Sequence, residues 1–213
     1  MHGQRPYWDR VANEKTFTHP VNAEWLSRSI STDARILDYG CGYGRTLYEL
    51  ASLGYANTVG VDFAPRMIER GRRSFTTLDL RTTQALPLAE ADASFDAILL
   101  LAVLTCIPDD DEQARLMHEL RRLLRPGGVL YLSDMPLQTD RRNLARYARA
   151  LPRFGTYGVF ETEDGAVVRH HGEQRMNDLL DGFEKVAVET VRLSTMNGNA
   201  ATAQQILARR PAL

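Results

Sequence analysis

Along the chain, short apolar runs alternate with amphipathic stretches. Two helical patterns come first, around Tyr7–Ala12 and from Pro20 to Ile30, with Pro20 in a first turn, where its missing N–H is tolerated. Ala34 to Asp38 reads as a strand and Arg45 to Leu53 as a helix ended by Gly54. Asn57 to Asp62 is a second strand, and Ala64 to Ser74 a helix with Pro65 at its start. A weak strand, Phe75 to Leu80, precedes a polar loop. Phe95 to Leu101 is continuously apolar, as a central parallel strand covered on both faces requires. Asp109, Asp110, Asp111 and Glu112 place negative charge at the positive end of the next helix dipole. Arg121, Arg122 and Arg125 complement its other end, near Leu124. Pro126-Gly127-Gly128 is expected to stop that helix, and Val129 to Ser133 to form a fifth strand. This β-α repetition predicts a parallel, doubly wound sheet.

The last third of the chain is patterned differently. Residues 158–162 and 166–170 flank Glu163-Asp164-Gly165, a hairpin signal. Glu173 to Leu180 reads as a short helix closed by Gly182. Phe183 to Leu193 and Gln204 to Ala208 read as two more strands, with the polar loop Met196–Asn199 between them.

One segment carries candidate chemistry. Ile36-Leu37-Asp38-Tyr39 ends a buried strand in an acid, then Gly40-Cys41-Gly42-Tyr43-Gly44 leads into a helix. Alternating glycines permit positive φ and close approach of the backbone to a ligand. A strand, a glycine turn and a helix grip nucleoside-like ligands at the carboxyl ends of α/β strands.

Composition narrows the class. At 213 residues, 44% hydrophobic and 25% charged, the chain suits one globular domain. A net charge of -1 argues against a general nucleic-acid binder. Lys15 and Lys185 are the only lysines, and the arginine excess reads as compositional bias. Cys41 and Cys106 make neither a disulfide framework nor a metal motif, which suits a reducing cytoplasm. The longest apolar run, Ala97 to Leu104, is too short for a bilayer, and the polar N-terminus does not read as a signal peptide.

Four segments in order resemble the class I S-adenosylmethionine-dependent methyltransferases. They are Ile36–Gly44, Val59-Gly60-Val61-Asp62 with Phe63 and Met67, Leu86-Pro87 with Ser94–Ile98, and Leu120–Leu130 with its Pro-Gly-Gly turn. The resemblance implies an α/β fold: a Rossmann-like seven-stranded, mostly parallel sheet with an antiparallel C-terminal hairpin and helices on both faces. It implies a single domain over residues 1–213, a helical lid over about 1–30 and an active-site cap over about 138–171. The cofactor implied is S-adenosyl-L-methionine, leaving as S-adenosyl-L-homocysteine. Its site would comprise Asp38, Gly40, Cys41, Gly42, Gly44, Asp62, Phe63, Met67, Thr82 and Leu101. Asp38 is expected at the tail ammonium, Asp62 at the ribose hydroxyls, and Phe63 and Met67 at the adenine. Thr82 stands where many relatives carry an Asp for the adenine amino group. The Gly40, Gly42 and Gly44 spacing departs from the Gly-x-Gly-x-x-Gly of a pyrophosphate dinucleotide site, which favours the methyl donor over NAD.

The acceptor side is less marked. The Asn/Asp-Pro-Pro-Tyr type motif of DNA adenine methylases is absent, and no acidic metal cluster or basic tail is evident. By elimination the expected acceptor is a small molecule, with N-, O-, S- and C-methylation all open, in a cytoplasmic monomer or homodimer. A catalytically silent cofactor binder and, less favoured, a NAD-type oxidoreductase are the alternatives. His170 and His171 are the candidate general bases, since imidazole accepts a proton near neutral pH; adjacent strand residues face opposite ways, so one of them is expected to look inward. Tyr7, Trp8, Cys106, Tyr157 and Arg169 are the candidate substrate contacts, with Phe160 as an apolar wall.

Overall fold

The computed structural model describes residues 2–212; Met1 and Leu213, the ends of the expected 1–213 domain, lie outside the described residues. Five strands of the sheet are parallel: β1 (Ile36–Tyr39), β2 (Thr58–Asp62), β3 (Asp79–Thr82), β4 (Phe95–Leu101) and β5 (Leu124–Asp134). The chain ends in β8 (Glu184–Ser194) and β9 (Ala200–Arg209). The seven strands lie in the order β3-β2-β1-β4-β5-β9-β8, with β9 antiparallel to both β5 and β8. The order reverses between β1 and β4, and that reversal opens a crevice at the carboxyl ends of the strands.

Alternation along β4 explains the two cores. Ile98 and Leu100 face α5 (Asp110–Leu123), packing with Leu116, Leu120 and Leu123. Ala97 and Leu99 face the other way, toward α2 (Ala23–Ser29) and α3 (Arg45–Ser52), with Leu26, Leu47 and Leu50. Asp109 caps α5, its side chain accepting from Glu112 N at 2.8 Å, so the acidic run sits at the helix N-terminus.

Four elements differ from the sequence expectation. The helix α2 begins at Ala23, capped by Asn22, so Pro20 lies ahead of it and not in its first turn. The third strand begins at Asp79 because Phe75 closes α4 (Pro65–Ser74), donating its N–H to Gly71 O, and stacks on Tyr48. Pro126-Gly127-Gly128 does not precede the fifth strand. It bulges from within it, as Phe95 pairs with Leu124 and Ala97 with Val129. Residues 141–154, not assigned above, form α6 (Arg141–Phe154), capped by Asp140 and ended by Gly155 in the left-handed region. A separate hairpin of β6 (Val159–Glu161) and β7 (Val167–Arg169) follows, then α7 (Glu173–Leu179).

Candidate active site

Over the crevice, α1 (Arg5–Val11), the β6–β7 hairpin and the β8–β9 turn enclose a cavity of about 510 Å³. The glycine loop forms its floor. Gly40, Gly42 and Gly44 all take positive φ, and a Cβ on Gly40 would lie 2.5 Å from Val103 Cγ2. Gly40 N and Cys41 N donate to Val61 O, and Gly42 N donates to the Asp62 carboxylate at 2.9 Å. The other Asp62 oxygen accepts from Ala64 N at 2.8 Å, so one carboxylate fixes both the glycine loop and the start of α4. Burial pushes Asp62 up to about 6 despite these donors.

Asp38 is 2% exposed, lines the cavity, and keeps Oδ2 without a partner among the described residues. Burial raises it to about 7, against the opposing pull of Arg45. Trp8 Nε1 is likewise buried without a partner at the cavity wall. These unmatched polar atoms, beside Phe63, Met67 and Leu101, make a site for a ligand with an apolar ring and a cationic group.

Asp164 joins three of the segments over the cavity. Asp164, in the β6–β7 turn, accepts from Tyr7 OH at 2.9 Å, from Thr162 Oγ1 at 2.6 Å and from Asn197 Nδ2 at 3.4 Å, and pairs with Lys15 Nζ at 2.6 Å. Lys15 also donates to Asn197 Oδ1. Partial burial alone would raise Asp164, but the hydrogen bonds from Lys15, Thr162 and Tyr7 outweigh it and hold the carboxyl well below its usual range. Replacing Asp164 by Ala should loosen these segments, which Gln4, bonded to Val167 and Cys106, still holds in part. Amide exchange across residues 5–19 is expected to speed by about tenfold, roughly 1.4 kcal/mol of local stability, with protection of the central strands unchanged.

The candidate residues divide on inspection. Asp38, Gly40, Cys41, Asp62, Phe63, Met67, Leu101, Tyr7, Trp8, Cys106 and His170 line the cavity. Gly42 and Gly44 shape the loop but do not reach the cavity; Phe17 covers Gly42, and a Cβ there would lie 1.9 Å from its ring. Thr82 is exposed on the edge strand, paired with Asp62 and outside the cavity. Tyr157 is 45% exposed and packs edge-on against Tyr147 from outside. Arg169 is turned away, donating to Pro108 O and pairing with Asp110 at 2.7 Å. Cys106 is a thiol, raised far by burial, not a thiolate nucleophile.

The histidines separate by strand alternation. His171 is drawn away from the cavity: its N–H donates to Met135 O, and Nε2 accepts from Gln113 Nε2 at 2.8 Å. Arg175 donates to Gln113 Oε1, which fixes that amide and leaves the imidazole proton on Nδ1, 3.6 Å from Asp134. His170 faces the cavity, but its base character is suppressed. Gln138 N donates to Tyr147 OH, so the phenol proton goes to His170 Nδ1, 2.5 Å away. The neutral ring therefore carries its proton on Nε2, which has no protein partner among the described residues. Burial, then His171, Arg146 and Arg142, lower His170 to about 3. It presents a donor to the cavity where the sequence suggested a base.

Sequence reasoning passed over Phe17, His19, Arg142 and Arg146, all at the cavity. His19 Nδ1 meets Ser133 Oγ at 2.9 Å and is held at about 4 by burial and Arg45. Its only sequence signal was a histidine just before Pro20.

The profile of a methyltransferase domain family matches residues 36–128. A solved S-adenosylmethionine-dependent methyltransferase from Methanosarcina mazei superposes with a TM-score of 0.83 at 26% identity, over 89% of this chain and 98% of that one. The chain carries a class I S-adenosylmethionine-dependent methyltransferase domain. A ubiquinone biosynthesis O-methyltransferase from Xanthomonas oryzae is 32% identical over 137 residues, 61% of this chain and 56% of that protein. A ribosomal protein L11 methyltransferase from Ralstonia pickettii is 32% identical over 158 residues, 73% of this chain and 50% of that protein. The chain thus spans about half the length of the curated relatives it matches. Among the described residues, no helix is long and apolar enough to cross a membrane.

Proposed function

We propose that this protein transfers the methyl group of S-adenosylmethionine to a small molecule held in the cavity beside His170. The observation that carries this reading is a continuous cavity running from Asp38 and Asp62 on the glycine-loop side to His170 and Arg146 under the lid. Such a chamber suits a small acceptor better than a protein or nucleic-acid one, and a monomer or homodimer in the cytoplasm would serve. Asp38 would hold the tail ammonium, Asp62 the ribose hydroxyls, and Phe63 and Met67 the adenine. The cofactor supplies an electrophilic methyl sulfonium. The protein's own part is to align the acceptor and exclude water, worth up to about 7–11 kcal/mol in well-oriented reactions. With His170 Nε2 protonated, we assign that residue to orienting the acceptor. The ubiquinone-pathway relatives make an oxygen acceptor the first class to assay.

Thermal-shift titration tests the cofactor. A ligand at about 100 times its dissociation constant adds about 2.7 kcal/mol to stability, a clear rise in Tm. S-adenosylmethionine and S-adenosylhomocysteine should both give it, and label from methyl-labelled cofactor should pass to a member of a phenol and amine panel. No shift with either ligand overturns the proposal; a shift with no transfer to any acceptor favours the silent binder.

A further inference from the structure

The end of the cavity beside Phe160 carries three side-chain donors. Arg142 and Arg146 reach it from successive turns of α6, and His170 contributes Nε2–H. The state of pairing of Arg146 sets it apart. Among the described residues, every other buried or half-buried arginine is held by a carboxylate or a main-chain carbonyl, among them Arg35 by Glu90, Arg45 by Glu49, Arg70 by two carbonyls, Arg122 by Glu119 and Asp92, and Arg169 by Asp110. Arg146 is half-buried, yet its one hydrogen bond is a 3.3 Å donation to Asn143 Oδ1, and its guanidinium lies 4.4 Å over the Phe160 ring. Arg142, exposed one turn earlier at the cavity mouth, has no hydrogen bond or ion pair among the described residues, so the desolvation argument rests on Arg146. Glu163, exposed in the hairpin turn, is the acid facing this end of the cavity, and it forms no ion pair with either arginine. A partly desolvated guanidinium without an anion is an unfavourable arrangement unless a ligand completes it.

We infer that the acceptor carries an anionic group, a carboxylate or a phosphate, held by Arg142 and Arg146 and by the Nε2–H of His170. This rests on the methyl-transfer reading of the same cavity. Guanidinium forks match both anions, with charge-assisted hydrogen bonds about twice as strong as neutral ones. The Phe160 face beneath Arg146 would pre-set the fork, and Tyr147 keeps His170 in the donor tautomer. Anion binding would also relieve the mutual repulsion of Arg142 and Arg146.

The test uses the protein saturated with S-adenosylhomocysteine, with benzoate, benzamide and inorganic phosphate as probes, read by calorimetry and ligand-observed NMR. Benzoate or phosphate should bind at least about tenfold more tightly than benzamide, a difference of about 1.4 kcal/mol. Preference for benzoate would mark a carboxylate acceptor, and preference for phosphate a phosphorylated one. The double variant Arg142→Met with Arg146→Met should abolish that preference while S-adenosylhomocysteine binds unchanged, and Arg146→Lys should restore part of it. Equal binding of benzoate, phosphate and benzamide, or an anion preference that survives in the double variant, overturns the inference. Failure of S-adenosylhomocysteine to bind the wild type would instead strike the methyl-transfer reading beneath it.

Discussion

Replacing Asp62 by Ala should abolish the thermal shift given by S-adenosylhomocysteine and lower the stability of the free protein as well. The two losses have one cause. The carboxylate accepts from Gly42 N and Ala64 N, so its removal orphans two donors in a buried site. Each orphaned donor costs about 1–3 kcal/mol. The glycine loop then keeps the bonds of Gly40 N and Cys41 N to Val61 O but loses the one at Gly42, and the ribose would lose its proposed partner. An affinity loss beyond about 100-fold is expected, because a hydrogen bond to a charged group contributes about 1.5–3 kcal/mol before any disorder of the loop is added. Asp62→Asn should recover little. An amide offers one acceptor oxygen, so its NH2 would face either the Gly42 or the Ala64 donor. Urea denaturation gives the stability change, and calorimetry with S-adenosylhomocysteine the affinity. A variant that binds the ligand like wild type would remove Asp62 from the cofactor site.

What sequence could and could not show follows from how local each feature is. A strand ending in Asp38, a turn of alternating glycines and a second strand ending in Asp62 are contiguous signals, and their geometry follows from a few neighbouring residues. The repetition of βα units was legible for the same reason, since each unit is patterned on its own, whereas the strand order was not read from the sequence. The helix α6 was hidden by Pro152 near its end and by a run of arginines, although Asn143 and Tyr147 recur on one buried face and Asp140 and Gly155 mark its caps. Pairings across the chain left no local trace. Asp164 meets Tyr7 over 157 positions, and Arg169 meets Asp110 over 59. Arg169 and Arg142 are the same residue type in an arginine-rich chain. Only the fold reveals that the first is paired outside the cavity and the second unpaired within it. His170 and His171 show the division within one dipeptide. Strand alternation says that one faces inward, but the tautomer of that one depends on Tyr147 and Gln138, which sequence does not bring together.

Asp38 should make cofactor binding depend on pH, and Asp38→Asn should remove most of that dependence. In the free protein burial raises this carboxyl to about 7, well above the ordinary carboxylate value of 3.8 that it has in the unfolded chain. The unfolded chain therefore gives up this proton first as pH rises. Between about pH 4 and 7 the native state holds more protons than the unfolded state, so on Asp38's account the free protein loses stability as pH rises through that window. Asp62, raised to about 6, acts in the same direction over a narrower range. A ligand ammonium beside Asp38 Oδ2 reverses the sign, because it favours the ionised carboxylate and draws the bound-state value down. S-adenosylhomocysteine affinity should then climb as pH rises toward 7 and level off above it, with proton release on binding below pH 7. Tm against pH should show the free and ligand-saturated curves diverging from pH 5 to 7. In Asp38→Asn the Asp38 share of the free protein's pH dependence should vanish, leaving Asp62 and Asp134, which act in the same direction, and His19, His170 and His171, whose lowered values act in the opposite one. Affinity at pH 8 should fall about 10–100-fold, the value of one charge-assisted hydrogen bond. Parallel wild-type curves with and without ligand would show that the partnerless Asp38 oxygen does not meet the cofactor's charge.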